Sequence, residues 1–509
     1  MMIHNSKLMV PCALGVVFGG TGYAMAERPN VLFIAVDDLK PLLGCYGDRQ
    51  AKSPAIDELA SRGTLFLNAH CQQAVCGPSR ASLLTGLGPD TTKVWDLKTQ
   101  IRKALPDVVM LPQYFKQNGY TVIGMGKIFD PRSVDKSVDK KSWTKFLHPK
   151  APADKTYGYR DPEFVKYIEA KQAELKGKGW VAALKEVGKR PTDMADVPDN
   201  AYGDGEVCDA AVRQLKKLAK SDKPFFLAVG FKKPHLPFNA PKKYWDMYDP
   251  QKLKLAEFRD MPSGAPGFAF QPGWELRNYA GIPAEGRLPE DLQRKLIHGY
   301  YACVSYTDAQ VGKLLKGLAA SGVADNTIIV LWGDHGWHLG DHSIWCKHSN
   351  YEQATHAPLM IVAPKIANKG NCNDSPVNFI DIYPTLCELS GLPVDPKLDG
   401  KSLVPILKDG KARVNEAAFS QYPRVIGRKK SVMGYTLRNR RYRYTEWQRC
   451  GEVRGPGNGE VVAREFYDYD KDPLERVNQI NNPEYAGEIA RLQKLLPGYI
   501  KKYGTLESE

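Results

Sequence analysis

Short continuous apolar runs alternate along the chain with stretches whose apolar residues recur at helical spacing. The clearest run is Asn30-Val-Leu-Phe-Ile-Ala-Val36, largely β-branched and uninterrupted, closing on Asp37-Asp38. A run of this kind fits a strand of a parallel sheet buried on both faces. Similar runs occupy 120–124, 225–229, 327–332 and 359–363. Helical periodicity marks 54–61, 111–118, 292–318 and 380–390 between them. Strands alternating with helices predict an α/β fold, a layered sheet with helices on both faces.

Two regions break the rhythm. Residues 131–200 are rich in Lys, Asp and Pro and hold a short tandem, Ser133-Val-Asp-Lys followed by Ser137-Val-Asp-Lys. They read as an insertion over the sheet. After about residue 410, a Tyr-, Arg- and Thr-rich stretch at 433–447 alternates like a strand. A glycine-rich turn at 451–459, a strand-like 466–470 and a closing helix over 486–496 follow. The expected organisation is a large catalytic domain at 27–410 and a smaller α+β subdomain at 411–509, with an antiparallel sheet and a helix.

Composition narrows the class. The 509 residues are 43% hydrophobic and 25% charged, which supports a sizeable core and argues against disorder. The first 26 residues read as a signal peptide. Lys7 precedes an apolar stretch too short to span a bilayer, and Ala24-Met25-Ala26 is a small-x-small cleavage site. The mature protein is therefore expected to be exported, periplasmic or extracellular, with no membrane span. One of the ten cysteines, Cys12, lies in that leader, and the others show no paired metal-ligand spacing. A net charge of +14 favours anionic partners: nucleic acid, anionic membrane or sulfated glycan. No nucleic-acid-binding motif accompanies it.

The chemistry concentrates at strand ends. Asp37-Asp38 follows the first run, and Gly333-Asp334-His335-Gly336 follows the run at 327–332. Ligands gather at the carboxyl ends of strands in open α/β sheets, and adjacent carboxylates repel unless a cation neutralises them. One shared metal site follows, and mostly oxygen ligands favour calcium or magnesium over zinc. In Cys76-Gly-Pro-Ser-Arg80-Ala-Ser-Leu-Leu-Thr85-Gly86, Pro78 is placed to fix a turn and Ser79 to cap a short helix. Cys76 would then lie near a helix N-terminus with Arg80 one turn on. On these residues alone it is either a thiolate nucleophile or a small buried hydrophobe. Lys127, His235 and Lys347 arrive from separate segments and could cage an anionic ester.

The eleven residues from Cys76 to Gly86 resemble the signature of the type I sulfatases, in which this cysteine becomes formylglycine. The likeness runs through nearly the whole mature chain and is strongest to the iduronate 2-sulfatase branch. Gln72-Gln-Ala-Val-Cys76, Lys233-Pro-His235, Asp334-His-Gly-Trp337 and Ser420-Gln-Tyr-Pro-Arg424 carry it. The resemblance implies an alkaline-phosphatase-like layered sandwich with a large mixed sheet. It implies one calcium held by Asp37, Asp38, Asp334, His335 and the modified Cys76, and a formylglycine-generating maturation enzyme as partner. Cys76, Arg80, Lys127, His235 and Lys347 would be catalytic. Lys127, His235, Lys347 and Arg424 would contact a sulfated saccharide. One departure stands out: iduronate 2-sulfatases carry a histidine shortly after the lysine matching Lys127, and the nearest equivalent here is Asp130. Two other readings stand beside the sulfatase one: a phosphomonoesterase or phosphodiesterase of the same superfamily, and a non-catalytic binder of sulfated glycans, which would keep the basic surface but need no nucleophile, metal ligands or lysine pair.

Overall fold

A computed structural model describes residues 28–504 of the chain, except 157, 177–178, 272, 365, 367–369 and 429. The expected leader at 1–26 lies outside the described residues. Asn30–Val36 is β1, and every residue of it is buried. Seven strands join it in one sheet: β2 (Thr64–Phe66), β3 (Thr121–Gly126), β4 (Lys145–Leu147), β5 (Phe225–Phe231), β6 (Thr327–Gly333), β7 (Leu359–Val362) and β8 (Asn371–Asn373). Their spatial order is β8-β2-β7-β6-β1-β5-β3-β4. β7 runs antiparallel to both neighbours while the other pairings are parallel, so the sheet is mixed. Leu32, Ile34 and Val36 enter one core, which includes the long helix Glu290–Ala320. Val31, Phe33 and Ala35 enter the other, with Leu83 and Leu386. Burial on alternate faces is why β1 reads as unbroken apolar sequence.

The central strands end in step. Val36 is level with Phe231 on one side and Gly333 on the other, and Gly126 is level with Gly230. The residues that follow, Asp37, Lys232, Asp334 and Lys127, therefore leave from one edge of the sheet. Gly230 makes part of that edge possible. A Cβ there would lie 2.3 Å from the Lys127 backbone, so a side chain would force the ends of β3 and β5 apart.

The 131–200 region is folded. It adds β4 to the sheet edge and packs the helices Pro162–Glu174 and Gly179–Val187 on a small core of Tyr159, Phe164, Ile168 and Leu184. Towards the C-terminus, β9 (Ala418–Gly427), β10 (Lys430–Arg438), β11 (Tyr442–Cys450) and β12 (Gly457–Asp468) form a four-stranded antiparallel sheet. Helix Ala486–Gly504 covers it, burying Leu492, Leu496 and Tyr503 among Phe419, Tyr435 and Phe466. That helix continues past the expected end at 496 and through Pro497. The nine cysteines among the described residues are all free. No helix among them is long and apolar enough to cross a membrane.

Candidate active site

Asp38 turns the chain at the end of β1 with φ +58°, and its backbone N–H donates to Asp334 Oδ1 at 3.0 Å. The Tyr300 hydroxyl, from the long helix, donates to the Asp38 carbonyl at 2.7 Å. Asp37, Asp38, Asp334 and His335 are all buried at 1% exposure or less. Cys76 comes to the same place from the other side. Its Sγ lies 3.4 Å from Asp37 Oδ1 and 3.3 Å from His335 Nε2. The helix carrying it, Cys76–Thr85, begins at the cysteine itself. Ser79 is therefore inside the helix and caps nothing; its hydroxyl donates to the Asp334 carbonyl instead.

Burial, reinforced by the charge of Asp37, pushes the Cys76 thiol well above the usual thiol range. An unmodified thiolate is thus disfavoured here despite the helix N-terminus, because desolvation and a neighbouring anion outweigh the dipole. Arg80 lies fully buried beneath. Its Nε donates to Asp334 Oδ2 at 2.8 Å, Nη2 to Asp37 Oδ1 at 3.2 Å and Nη1 to the carbonyls of Lys127 and Ile128. It fixes two carboxylates and the Lys127 backbone. Lys127 Nζ pairs with Asp37 Oδ2, and Lys347 Nζ lies 3.0 Å from both oxygens of Asp38. Burial would raise the Asp37 carboxyl, but Lys127, with His235 and Arg80, holds it well below the usual range. For Asp38 burial prevails over His235 and Lys347, and the carboxyl is raised.

The sulfatase family model matches residues 29–392. The chain belongs to the sulfatase family. A second model, the C-terminal region of N-sulphoglucosamine sulphohydrolase, matches residues 340–502. The iduronate 2-sulfatase of Mus musculus is 34% identical over 534 aligned residues, covering 93% of this chain and 94% of that one. A solved 2-O GAG sulfatase superposes with a TM-score of 0.65 at 24% identity, covering 94% of this chain and 93% of its own. The phosphonate monoester hydrolase of Agrobacterium radiobacter does so with a TM-score of 0.69 at 23% identity, over 93% and 96%. The sulfatase is thus a sulfuric ester hydrolase with the alkaline-phosphatase-like fold.

Asp37, Cys76, Lys127, His235 and Lys347 open onto one cavity of about 960 Å³. Its walls also carry residues the sequence did not single out. Glu275 binds two functional groups at once: Oε1 lies 3.1 Å from His235 Nε2 and Oε2 lies 2.8 Å from Lys347 Nζ. Burial would raise its carboxyl, but Lys347 and His235 hold it well below the usual range. Burial alone would lower the His235 imidazole, yet Asp38, helped by Asp37 and Glu275, keeps it above its ordinary value. Asp130 lines the sulfatase cavity but is engaged by Arg132, at 2.9 Å from Nε and 2.7 Å from Nη2. Burial opposes ionisation of Asp130, but that pairing and Lys127 hold its carboxyl low.

Arg424 is placed differently from the expected substrate contact. It is 6% exposed, and its Nη2 donates to the carbonyls of Ala269, at 2.9 Å, and His348. Both hydrogen bonds brace backbone next to the cavity wall, and Arg424 is not among the cavity-lining residues. The basic stretch around it is largely paired as well. Arg438 and Arg443 bond Glu352, Arg441 bonds Asp468, and Arg440 bonds Asp374.

Proposed function

We propose that the sulfatase removes sulfate from a carbohydrate ester of the iduronate 2-sulfatase kind, using formylglycine made from Cys76 and one bound calcium. The observation that carries this reading is the buried cluster of Asp37, Asp38, Cys76, Asp334 and His335, which meets a cavity that Asp37, Cys76, Lys127 and Lys347 line. Ligand atoms of Asp37, Cys76, Asp334 and His335 lie within 4.8 Å of one another, all buried. A set dominated by carboxylate oxygens fits a hard divalent cation, and with residue 76 as an oxygen donor it fits calcium. Calcium would supply positive charge to the aspartates and to a sulfate oxygen. Formylglycine, as its hydrate, would supply an oxygen nucleophile where the thiol is disfavoured.

The chain's own residues account for the rest. Lys127 and Lys347 flank Cys76 and hold the sulfate oxygens as charge moves towards the leaving group. His235 faces the same cavity, and its raised imidazole is a proton donor for the departing sugar oxygen. Arg80 keeps Asp37, Asp334 and the Lys127 backbone in register. Asp130, engaged by Arg132, is not a free base in place of the family histidine. Conversion of Cys76 would require a formylglycine-generating enzyme, and the leader-like residues 1–26 support export to the periplasm or outside the cell.

Cys76→Ala should abolish sulfate release while leaving the thermal midpoint near that of the parent. Mass spectrometry of the Cys76 peptide from the native host should show the aldehyde. Matched aryl sulfate and aryl phosphate esters, followed by defined sulfated oligosaccharides, test the reaction and the sugar. Turnover in the alanine variant above a few per cent, or preferential phosphate release, rejects the reading.

A further inference from the structure

Trp274 stands out on the cavity wall. It is 61% exposed, yet it lines the same cavity as Cys76 and His235. An aromatic ring exposed on the wall of a concave cavity, beside charged residues, offers a flat face on which a ligand ring can stack. Its neighbours are suited to a sugar. Glu275 is the next residue, and Asn278, one turn on, lines the cavity too. The three positions share the short helix Trp274–Arg277 and its C-cap.

The helix is held in place rather than loosely attached. Gln271 accepts the Gly273 N–H at 2.5 Å and donates through Nε2 to the Lys347 carbonyl at 2.9 Å. Arg277 donates to the carbonyls of Pro283 and Gly286. Asn278 Nδ2 donates to the Trp274 carbonyl at 2.6 Å. Trp274 is therefore tied, through Gln271, to the backbone of a lysine that faces the sulfate. Such pre-ordering lowers the cost of seating a ligand.

We propose that Trp274 and Glu275 form the sugar subsite of this enzyme: Trp274 stacks on the pyranose ring, and Glu275 accepts the hydroxyl next to the sulfated carbon. This rests on the sulfatase reading given above. The geometry follows from His235. Its Nε2 must reach the ester oxygen, and Glu275 lies 3.1 Å from that nitrogen, so a vicinal hydroxyl falls within reach of the carboxylate. A second anion at the vicinal position would meet the Glu275 charge and be disfavoured. The substrate class is thus a pyranose sulfate with a free neighbouring hydroxyl.

The test uses the full, matured protein with Trp274→Ala and Trp274→Phe, on a 2-O-sulfated uronic acid disaccharide and on 4-nitrophenyl sulfate. Trp274→Ala should raise KM for the disaccharide roughly tenfold more than for the aryl ester, and Trp274→Phe should recover most of the difference. O-methylation of the vicinal hydroxyl should cost the parent enzyme roughly tenfold in kcat/KM. Equal losses on both substrates, no recovery with phenylalanine, or indifference to O-methylation overturns the subsite. Aryl sulfate turnover without turnover of any sulfated saccharide also overturns it. Absence of sulfate release from every ester instead removes the underlying reading and the subsite together.

Discussion

His235 sits between two carboxylates, 3.1 Å from Glu275 and 3.9 Å from Asp38, with its ring on the cavity. Its replacement by glutamine preserves much of the shape and removes the titrating proton. We expect kcat on a saccharide sulfate to fall roughly a hundred- to ten-thousandfold. The loss on 4-nitrophenyl sulfate should be far smaller, because that leaving group departs without a proton. Steady-state kinetics on both esters decides, and equal losses would mean that His235 does not protonate the leaving oxygen. At this scale the sequence was informative where chemistry follows a strand end. Asp37, Asp38, Asp334 and Lys127 drew attention because each lies within three residues of the end of an apolar run. Glu275 and Arg132 were not, since each lies in a segment with no regular period, and their partners are neighbours only in space. Arg424 misled because a motif match says nothing about whether a guanidinium faces solvent or backbone.

Elements were legible in proportion to their length and burial. β1, β5 and β6 each bury every residue, and their unbroken apolar runs stand out. The three-residue strands β2, β4 and β8 are too short to show a period. The last helix passes Pro497 because Tyr503 is buried beyond it, and tertiary packing offsets the local penalty. Two predictions belong here. Gly230→Ala drives a methyl into the Lys127 backbone. It should destabilise the fold by about 1–3 kcal/mol in urea titrations and lower kcat by displacing Lys127; unchanged values would show that the two strand ends can part freely. Asp308, on the long helix, accepts the backbone N–H of Ile56 at 2.7 Å and so caps helix Pro54–Ser61 from another element. Burial raises its carboxyl from 3.8 to about 7. Between about pH 4 and pH 7 the folded chain keeps a proton the unfolded chain has released, so this group's contribution falls as pH rises through that window. The total change is at most on the order of 4 kcal/mol. Urea midpoints of the parent should therefore decline relative to Asp308→Asn as pH rises from about 4 to 7; parallel curves would refute the raised carboxyl.

For the molecule as a whole, the in-step strand ends turn a sheet edge into a charged centre. Asp37, Asp38 and Asp334 are buried together and faced by Arg80, Lys127, Lys347 and His335. The net charge of +14 predicted an anionic partner but not where it binds. Much of the C-terminal basic stretch turned out to be paired with Glu352, Asp374 and Asp468. Under the proposed reading the anion is drawn to the cavity that Lys127, Lys347 and Arg132 line, with the proposed cation behind it. A ligand that binds only the folded state stabilises it by an amount that grows with its concentration, about 2.7 kcal/mol at a hundredfold excess over Kd. Calcium should therefore raise the thermal midpoint of the chelator-treated protein in a concentration-dependent way. Magnesium should do so less, since three aspartates and an imidazole on two loops do not impose the tight octahedron it needs. Asp334→Asn should abolish the calcium-dependent increment, because Asp334 both belongs to the donor set and anchors Arg80. Calorimetry with and without calcium reads this independently of turnover, on protein whose conversion of Cys76 has been checked by mass spectrometry, because residue 76 belongs to the donor set. A midpoint indifferent to calcium in the parent protein would mean that the aspartate cluster is neutralised by its own lysines and arginine, and that the proposed cation is not part of the site.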